Sequence, residues 1–173
     1  MEHKMTKHVV AVIGGAVAAS EAASVLADRG VEVVVFEQNA RPFGKIEDGL
    51  PKWHDKQRIK ECERILERLQ KPGIHFVPNT KLGTDIVLDD LFSTWGFSAV
   101  LLGTGAWRDR PLDVTGIDAY LGMGLVYQNP FIHWFNHFEE PGFSGPGFQI
   151  LDDTIVIGGG LASIDVVKIV MLD

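Results

Sequence analysis

The stretch HVVAVIGGAVAA, residues 8–19, decides the fold. Its first half, His8 to Ile13, is a β-branched run that predicts a buried strand ending at Gly14 and Gly15. An Ala-rich helix is then predicted from Val17 to Arg29, and Val31 to Phe36 (VEVVVF) predicts a second strand. Strand, glycine turn, helix and strand make a βαβ unit, whose crossover implies a parallel sheet. We therefore expect an α/β fold, a Rossmann-like parallel sheet with flanking helices.

The glycine turn is a variant of the G-x-G-x-x-G/A pattern that brings a pyrophosphate to the N–H groups of a helix N-terminus. Glu37 follows Gly14 by 37 − 14 = 23 positions, where a carboxylate can accept the ribose hydroxyls. The departure from the pattern is Ala16, which stands in place of the second glycine. Its methyl group points at the usual position of the pyrophosphate. An ordinary glycine-containing β–α turn is the alternative. The predicted cofactor-binding residues here are Gly14, Gly15, Ala16, Ala18, Ala19, Glu37 and Gln38.

Further elements follow the βαβ unit. We expect an irregular loop over residues 38–54 and a charged amphipathic helix over 55–70. Two short strands are predicted at 74–77 and 99–102, with a helical turn at 88–93 between them, and a further helix is predicted from Pro130 to Phe138.

A second glycine run closes the sequence. Thr154 to Ile157 predicts a strand, Gly158-Gly159-Gly160 follows it, and a helix is expected to run to the last residue. Only 173 − 160 = 13 residues come after Gly160, so no acid or arginine is available to bind the ribose 2′ position. We expect one nucleotide-binding domain over residues 7–150 and the incomplete start of another over 151–173.

Composition excludes several classes of function. With 16 basic and 23 acidic side chains the formal charge is −7, which offers no basic surface for nucleic acid. The one cysteine, Cys62, excludes an internal disulfide and a four-cysteine metal site. No apolar run approaches the ~18–20 residues of a membrane span, and the first residues do not resemble a signal peptide. We expect a cytoplasmic protein that binds neither membranes nor nucleic acid.

His133 and His137 are four positions apart, so a helix would place them on one face. A metalloprotease motif would need a glutamate at position 134, where Trp134 stands, and no third ligand is evident. The sequence therefore favours an amphipathic aromatic helix and predicts no metal site. No nucleophile elbow is present, and we name no catalytic acid, base or nucleophile.

Several segments together resemble the flavoprotein oxidoreductases with two dinucleotide-binding domains, the family of glutamate synthase small subunits and adrenodoxin-type ferredoxin–NADP reductases. Residues 43–51 (FGKIEDGLP) resemble its flavin loop, and 79–86 (NTKLGTDI) its adenine-side segment. Residues 100–106 (VLLGTGA) resemble its Ala-Thr-Gly-Ala turn, 126–136 (VYQNPFIHWFN) its aromatic stretch, and 158–169 the opening of its NADP-binding domain. The departures are Phe43 for a glycine, Glu47-Asp48 for Arg-Tyr, and Leu161 for an Asn.

The resemblance implies FAD as a cofactor and NAD(P)H as a further candidate, with hydride passing from NAD(P)H to FAD and electrons leaving to an acceptor carried elsewhere. It adds to the cofactor-binding set Gly44, Lys45, Leu82, Gly103, Thr104 and Gly105 around the flavin and adenine, and Gly158, Gly160, Leu161 and Ala162 at the second turn. The chain is expected to need another chain or a C-terminal segment to complete the site, and a homo-oligomer is an open possibility.

Two other functions remain open at this point. A non-catalytic nucleotide-binding or assembly subunit would explain the departures at Ala16 and Phe43. A short NAD-dependent reductase would use the same glycine turn, but the flavin-like order of residues 43–51, 79–86 and 100–106 speaks against it.

Overall fold

The computed structural model describes residues 8–172, which form two units. The first unit contains residues 8–47 and 56–105, and the second contains residues 48–55 and 106–172. In this described part of the chain, no helix has both the length and the apolar composition needed to cross a membrane.

A four-stranded parallel sheet forms the first unit. Its strands are β1 (Val9–Ile13), β2 (Glu32–Phe36), β3 (Ile74–Val77) and β4 (Ala99–Leu102), in the order β3-β2-β1-β4. In β1, one of the two central strands, Val12 lies opposite Val35 of β2 on one side and Leu101 of β4 on the other. The β-branched runs form these strands because they are buried on both faces of the sheet. The predicted α/β fold with a parallel sheet is confirmed.

Helices cover the two faces of this sheet. On one face, α1 (Val17–Asp28) and α3 (Asp55–Leu69) bury small and aliphatic side chains against the valines of β1 and β2. On the other face, the short α4 (Leu88–Ser93) packs Leu91 beside Ile86 and Phe97. The loop between β2 and α3 contains one further helical turn, α2 (Lys45–Asp48). The connections from β1 to β2 and from β2 to β3 therefore place their helices on the same face.

An aromatic cluster forms the centre of the second unit. Helix α5 (Gln128–His137) and helix α6 (Leu161–Val170) pack together, and Phe131, Ile132, Phe135 and Ile169 are buried between them. A 3₁₀ turn over Lys52–His54 adds Trp53, whose ring centroid lies 5.1 Å from that of Phe135. The apolar face predicted for the aromatic helix is thus the buried one.

Some predicted elements differ from the structure. The strand predicted at Thr154–Ile157 is wrong: these residues have no strand partner among residues 8–172, and Ile155 is 84% exposed. A parallel strand needs a neighbour to satisfy its backbone groups, and a β-branched run alone does not supply one. The loop at 38–54 is less irregular than expected, since it contains α2 and the 3₁₀ turn. The last helix ends at Val170. The predicted extension is wrong at Met171 and Leu172, which are not helical, and its last residue, Asp173, lies outside the described residues.

Candidate nucleotide-binding site

The glycine turn lies where the strand order of the sheet reverses. The chain passes from β1 outward to β2 and β3 and then returns to β4 on the other side of β1. Such a switch point opens a crevice at the carboxyl ends of the strands, where α/β proteins bind their ligands. Gly14 lies in this crevice and donates from N to Phe36 O at 2.7 Å, while Gly103 N donates to Ile13 O at 2.8 Å.

Gly14, Gly103 and Ala19 lie in close contact at the switch point. Gly14 has a φ of +101°, and a Cβ added there would lie 2.5 Å from Gly103 O. A Cβ added to Gly103 would lie 2.8 Å from Cβ of Ala19, which is itself fully buried on α1. Small residues are therefore needed at these positions, because the ends of β1 and β4 and the start of α1 approach each other closely here.

Glu37 binds the glycine turn directly. Its carboxylate is buried, with 5% of the residue exposed, and accepts hydrogen bonds from Gly15 N to Oε2 at 2.7 Å and from Asn39 N to Oε1 at 3.0 Å. A Cβ at Gly15 would lie 2.7 Å from Cβ of Pro42, so this position also needs a small residue. Each carboxylate oxygen has a further lone pair, which leaves acceptor capacity for ligand hydroxyls. The next residue, Gln38, is exposed.

Helix α1 begins beside this carboxylate without a side-chain cap. Its N-cap is Ala16 (φ −77°, ψ −160°), whose side chain makes no capping hydrogen bond, and the first turn contains no acidic residue. Val17 and Ala18 are exposed. The backbone N–H groups of a first turn have no partner within the helix, and the helix dipole favours a negative charge near them. An anion such as a pyrophosphate suits this end of α1.

The residues predicted for the flavin loop are placed next to charges that are neutralised locally. Gly44 is buried at the start of α2, Lys45 is half-buried, and Phe43 packs against the core on the α1 face. Glu47 forms an ion pair with Arg41. Arg58 donates to Ile46 O at 3.0 Å and to Glu47 O at 2.8 Å, which satisfies carbonyl groups at the end of α2.

The other predicted contacts lie at two neighbouring strand ends. Thr104 and Gly105 follow β4 and are exposed, whereas Leu82 is half-buried against the cluster of Phe36 and pairs with Ile86 in an isolated bridge. The structure thus brings Gly14, Gly15, Ala19, Glu37 and Gly103 into direct contact. It places the remaining predicted residues of the first unit in the loops that follow the strands.

The second glycine turn is more open than the first. Gly160 is the N-cap of α6, and Leu161, 83% exposed, and Ala162 begin the helix in solvent. Gly158 has a φ of +148°, and a Cβ there would overlap Ser163 Oγ. Asp165, on the same helix, contacts His54, with Oδ1 3.1 Å from Nε2. Its carboxylate is therefore engaged within the second unit.

One cluster could not be predicted from the sequence, in which no third ligand for His133 and His137 is evident. The structure places Asp48 Oδ1 3.8 Å from His133 Nδ1 and 3.4 Å from His137 Nε2. Asp48 is 133 − 48 = 85 positions before His133. No local spacing could have revealed this contact.

Comparisons with known proteins agree with the fold and the turn. Residues 9–87 match the model of the pyridine nucleotide-disulphide oxidoreductase family. The chain is 32% identical to cindoxin reductase of Citrobacter braakii over 92% of this chain and 34% of that protein. It is 33% identical to the glutamate synthase [NADPH] small chain of Bacillus subtilis over 95% of this chain and 32% of that protein. The chain thus spans about a third of the length of the curated relatives it matches.

A solved structure has the same fold. FprA from Mycobacterium tuberculosis, in complex with NADPH, superimposes with a TM-score of 0.65 at 25% identity, over 77% of this chain and 30% of that one.

The single cysteine bears on the disulphide chemistry that the name of the matched family mentions. Cys62 is half-buried on α3, and burial, with the nearby charge of Glu47, raises its pKa despite Arg58 and Arg41. A thiol with a raised pKa is a poor nucleophile at neutral pH. An intramolecular redox disulfide is excluded, because the 173 residues contain no second cysteine.

Proposed function

We propose that this chain is the FAD-binding portion of an NAD(P)H-dependent flavoprotein oxidoreductase, passing electrons from NAD(P)H through FAD to an acceptor carried elsewhere. The observation that carries the proposal is the Glu37 carboxylate bonded to Gly15 N–H beside the uncapped start of α1, at the switch point of a parallel sheet. Two comparisons support it: the match of residues 9–87 to the family model, and a relative whose name includes NADPH.

The first turn would bind the pyrophosphate and a ribose. The N–H of Ala16 and the first N–H groups of α1, with Ala18 and Ala19, would donate to the pyrophosphate oxygens. The N–H groups of Gly14 and Gly15 already donate to Phe36 O and Glu37 Oε2, so these two glycines would contribute a close approach of the backbone. Glu37 would accept ribose hydroxyls with the lone pairs that its two backbone bonds leave free, and Gln38 lies beside it. In the structure, Glu37 also aligns the turn, because its carboxylate connects Gly15 to Asn39.

The remaining predicted residues would enclose the isoalloxazine and the adenine. Gly44 and Lys45 would lie along the flavin, Gly103, Thr104 and Gly105 on its far side, and Leu82 near the adenine. When bound, FAD would supply the two-electron chemistry that no side chain of this site provides. The role of the chain is therefore to bind and orient the cofactor.

The acidic departure at Glu47 is compatible with a bound diphosphate. Glu47 pairs with Arg41, so its charge is neutralised locally. The adjacent positive charge reduces the repulsion that this carboxylate exerts on a diphosphate.

A second nucleotide is assigned to the second glycine turn. We propose that residues 7–150 form the FAD-binding domain and that residues 151–173 begin an NAD(P)-binding domain, with Gly158, Gly160, Leu161 and Ala162 at its turn. The exposure of this turn supports a site that needs another chain or further sequence for completion.

Two measurements test the proposal. The purified protein should carry the absorbance spectrum of a flavin, and calorimetry on stripped protein should show saturable binding of FAD and of ADP. ADP binding without FAD binding would favour the alternative of a non-catalytic nucleotide-binding or assembly subunit, which the Ala16 and Phe43 departures support. Binding of neither would refute the nucleotide site.

A further inference from the structure

We infer that Asp48, His133 and His137 form a binding site for a divalent transition metal ion of the zinc class. All three residues belong to the second unit, and their ligand atoms lie within 4.8 Å of one another. Two imidazoles and one carboxylate are a donor set that zinc and similar ions accept. Asp48 lies within residues 43–51, which resemble a flavin loop, but the inference does not rest on the proposed flavin function.

Helix α5 places the two histidines side by side. His133 and His137 lie one turn apart, with ring centroids separated by 4.6 Å. The carboxylate of Asp48, the last residue of α2, lies against both rings, with Oδ1 3.4 Å from His137 Nε2 and 3.8 Å from His133 Nδ1. In a tetrahedral zinc site, bonds of ~2.0–2.1 Å separate neighbouring ligand atoms by about 3.3 Å. Small side-chain movements would therefore complete the coordination.

Glu140 determines which nitrogen of His137 is free for a metal. His137 Nδ1 lies 2.9 Å from Glu140 Oε1, and a carboxylate can only accept in such a bond, so Nδ1 carries a proton. In neutral His137 the lone pair is then on Nε2, which faces Asp48. A carboxylate that fixes the outer nitrogen of a metal-binding histidine is a common arrangement in metal sites.

The gap between Nε2 and Oδ1 needs a positive charge. His137 Nε2 is buried and has no hydrogen-bond partner among the described residues, and Asp48 Oδ1 lies 3.4 Å from it. Two lone-pair atoms 3.4 Å apart repel each other unless a proton or a cation lies between them. A proton in this gap would bond only to His137 and Asp48, and it would leave His133 without a role. A divalent ion would also bind His133, and the charges of Asp48 and Glu140 would balance it.

An ion here would connect two segments of the second unit. Asp48 begins the segment 48–55, which α5 already contacts through Asn136 Nδ2 donating to Leu50 O at 3.0 Å and through Lys52, whose ammonium lies 4.9 Å from the Phe138 ring centroid. His133 is exposed, so a fourth coordination position is open to water. The role that follows is structural, fastening residues 48–55 to α5.

The test is calorimetry and thermal unfolding of the chelator-treated 173-residue protein titrated with zinc chloride. We expect one ion per chain and a zinc-dependent rise in Tm. Asp48→Asn and His133→Ala should each weaken zinc binding by more than about a hundredfold, and Glu140→Gln by ~10–100-fold, the range measured for outer partners of metal ligands. His75→Ala is the matched control, because His75 contacts Glu32 in the first unit and should leave zinc binding unchanged.

Two results would overturn the inference. Absence of saturable zinc binding, together with an NMR titration showing doubly protonated His137 at neutral pH, would assign a proton to the gap. Unchanged zinc affinity in folded Asp48→Asn and His133→Ala would place the ion elsewhere. Tm values of the metal-free variants show whether each is folded before its affinity is compared.

Discussion

The carboxylate of Glu37 accepts a hydrogen bond of 2.7 Å from the backbone N–H of Gly15, 22 positions earlier in the chain. This bond connects the end of β2 to the turn that follows β1. Because both groups are buried, the same carboxylate that is proposed to bind the ribose also fixes the turn proposed to bind the pyrophosphate. Variants at Glu37 should therefore change both stability and cofactor affinity.

Glu37→Ala should destabilise the fold and weaken FAD binding together. The substitution removes two charge-assisted hydrogen bonds and leaves the buried Gly15 N–H without a partner, at a cost on the order of 1.5–3 kcal/mol. Glu37→Gln is the matched control, since its amide oxygen can still accept one of the two bonds. Urea unfolding and FAD calorimetry on both variants measure the effects. Stability unchanged in Glu37→Ala would contradict the structural role.

Gly14→Ala should be far more damaging than Gly30→Ala. Both glycines have positive φ, +101° and +78°, so alanine costs ~1–2 kcal/mol of backbone strain at either position. Only at Gly14 does the added Cβ also meet backbone, 2.5 Å from Gly103 O, whereas nothing lies within 4 Å of a Cβ at Gly30. The difference between their unfolding free energies measures the contact, and equal losses would show that the strands separate without cost.

The βαβ unit could be predicted because its signals are local. Glycines, an Ala-rich helix and two β-branched runs determine the turn within about thirty residues, and the distance from Gly14 to Glu37 follows from that geometry. The prediction of a strand at 154–157 failed because pairing is a long-range property. The same kind of run is a strand at β1, where two neighbours exist, but residues 154–157 have no strand partner among residues 8–172. The contact of Asp48 with His133 could not be predicted from the sequence for the same reason, since it depends on tertiary packing.

Ala16→Gly should tighten FAD binding if the methyl group obstructs the pyrophosphate. The φ of −77° at Ala16 is ordinary for any residue, so the backbone itself does not require glycine there. An effect on affinity would therefore come from the space that the methyl group occupies. Because Ala16 is the N-cap of α1, where glycine is preferred over alanine, the substitution should not itself weaken the helix. Calorimetry showing unchanged or weaker FAD binding in Ala16→Gly would mean that the turn accommodates the methyl group.

Cys62 should react slowly with alkylating reagents at neutral pH. Burial and the charge of Glu47 raise its pKa above the ordinary value of 9.0, so the folded protein holds the thiol proton more tightly than the unfolded chain. The resulting stability is fully present below pH 9 and is lost as the pH rises through the folded pKa. The rate of iodoacetamide labelling against pH, compared with urea-unfolded protein, measures the shift. Equal rates for both forms would contradict it.

The 173-residue chain alone should oxidise NADPH at a negligible rate. At the second turn, Leu161 and Ala162 are exposed, and Ile155 and Ile157 before it pair with no strand among residues 8–172, so the residues proposed for the nicotinamide nucleotide are not enclosed. We expect turnover with an artificial electron acceptor far below the ~10 per second typical of enzymes. The loss of NADPH absorbance measures it, and saturation with FAD, checked by calorimetry, ensures that a slow rate does not reflect missing cofactor. Adding the segment or chain that completes the second domain should restore activity. A monomer of this chain that oxidised NADPH at ordinary enzyme rates would show that the exposed turn suffices.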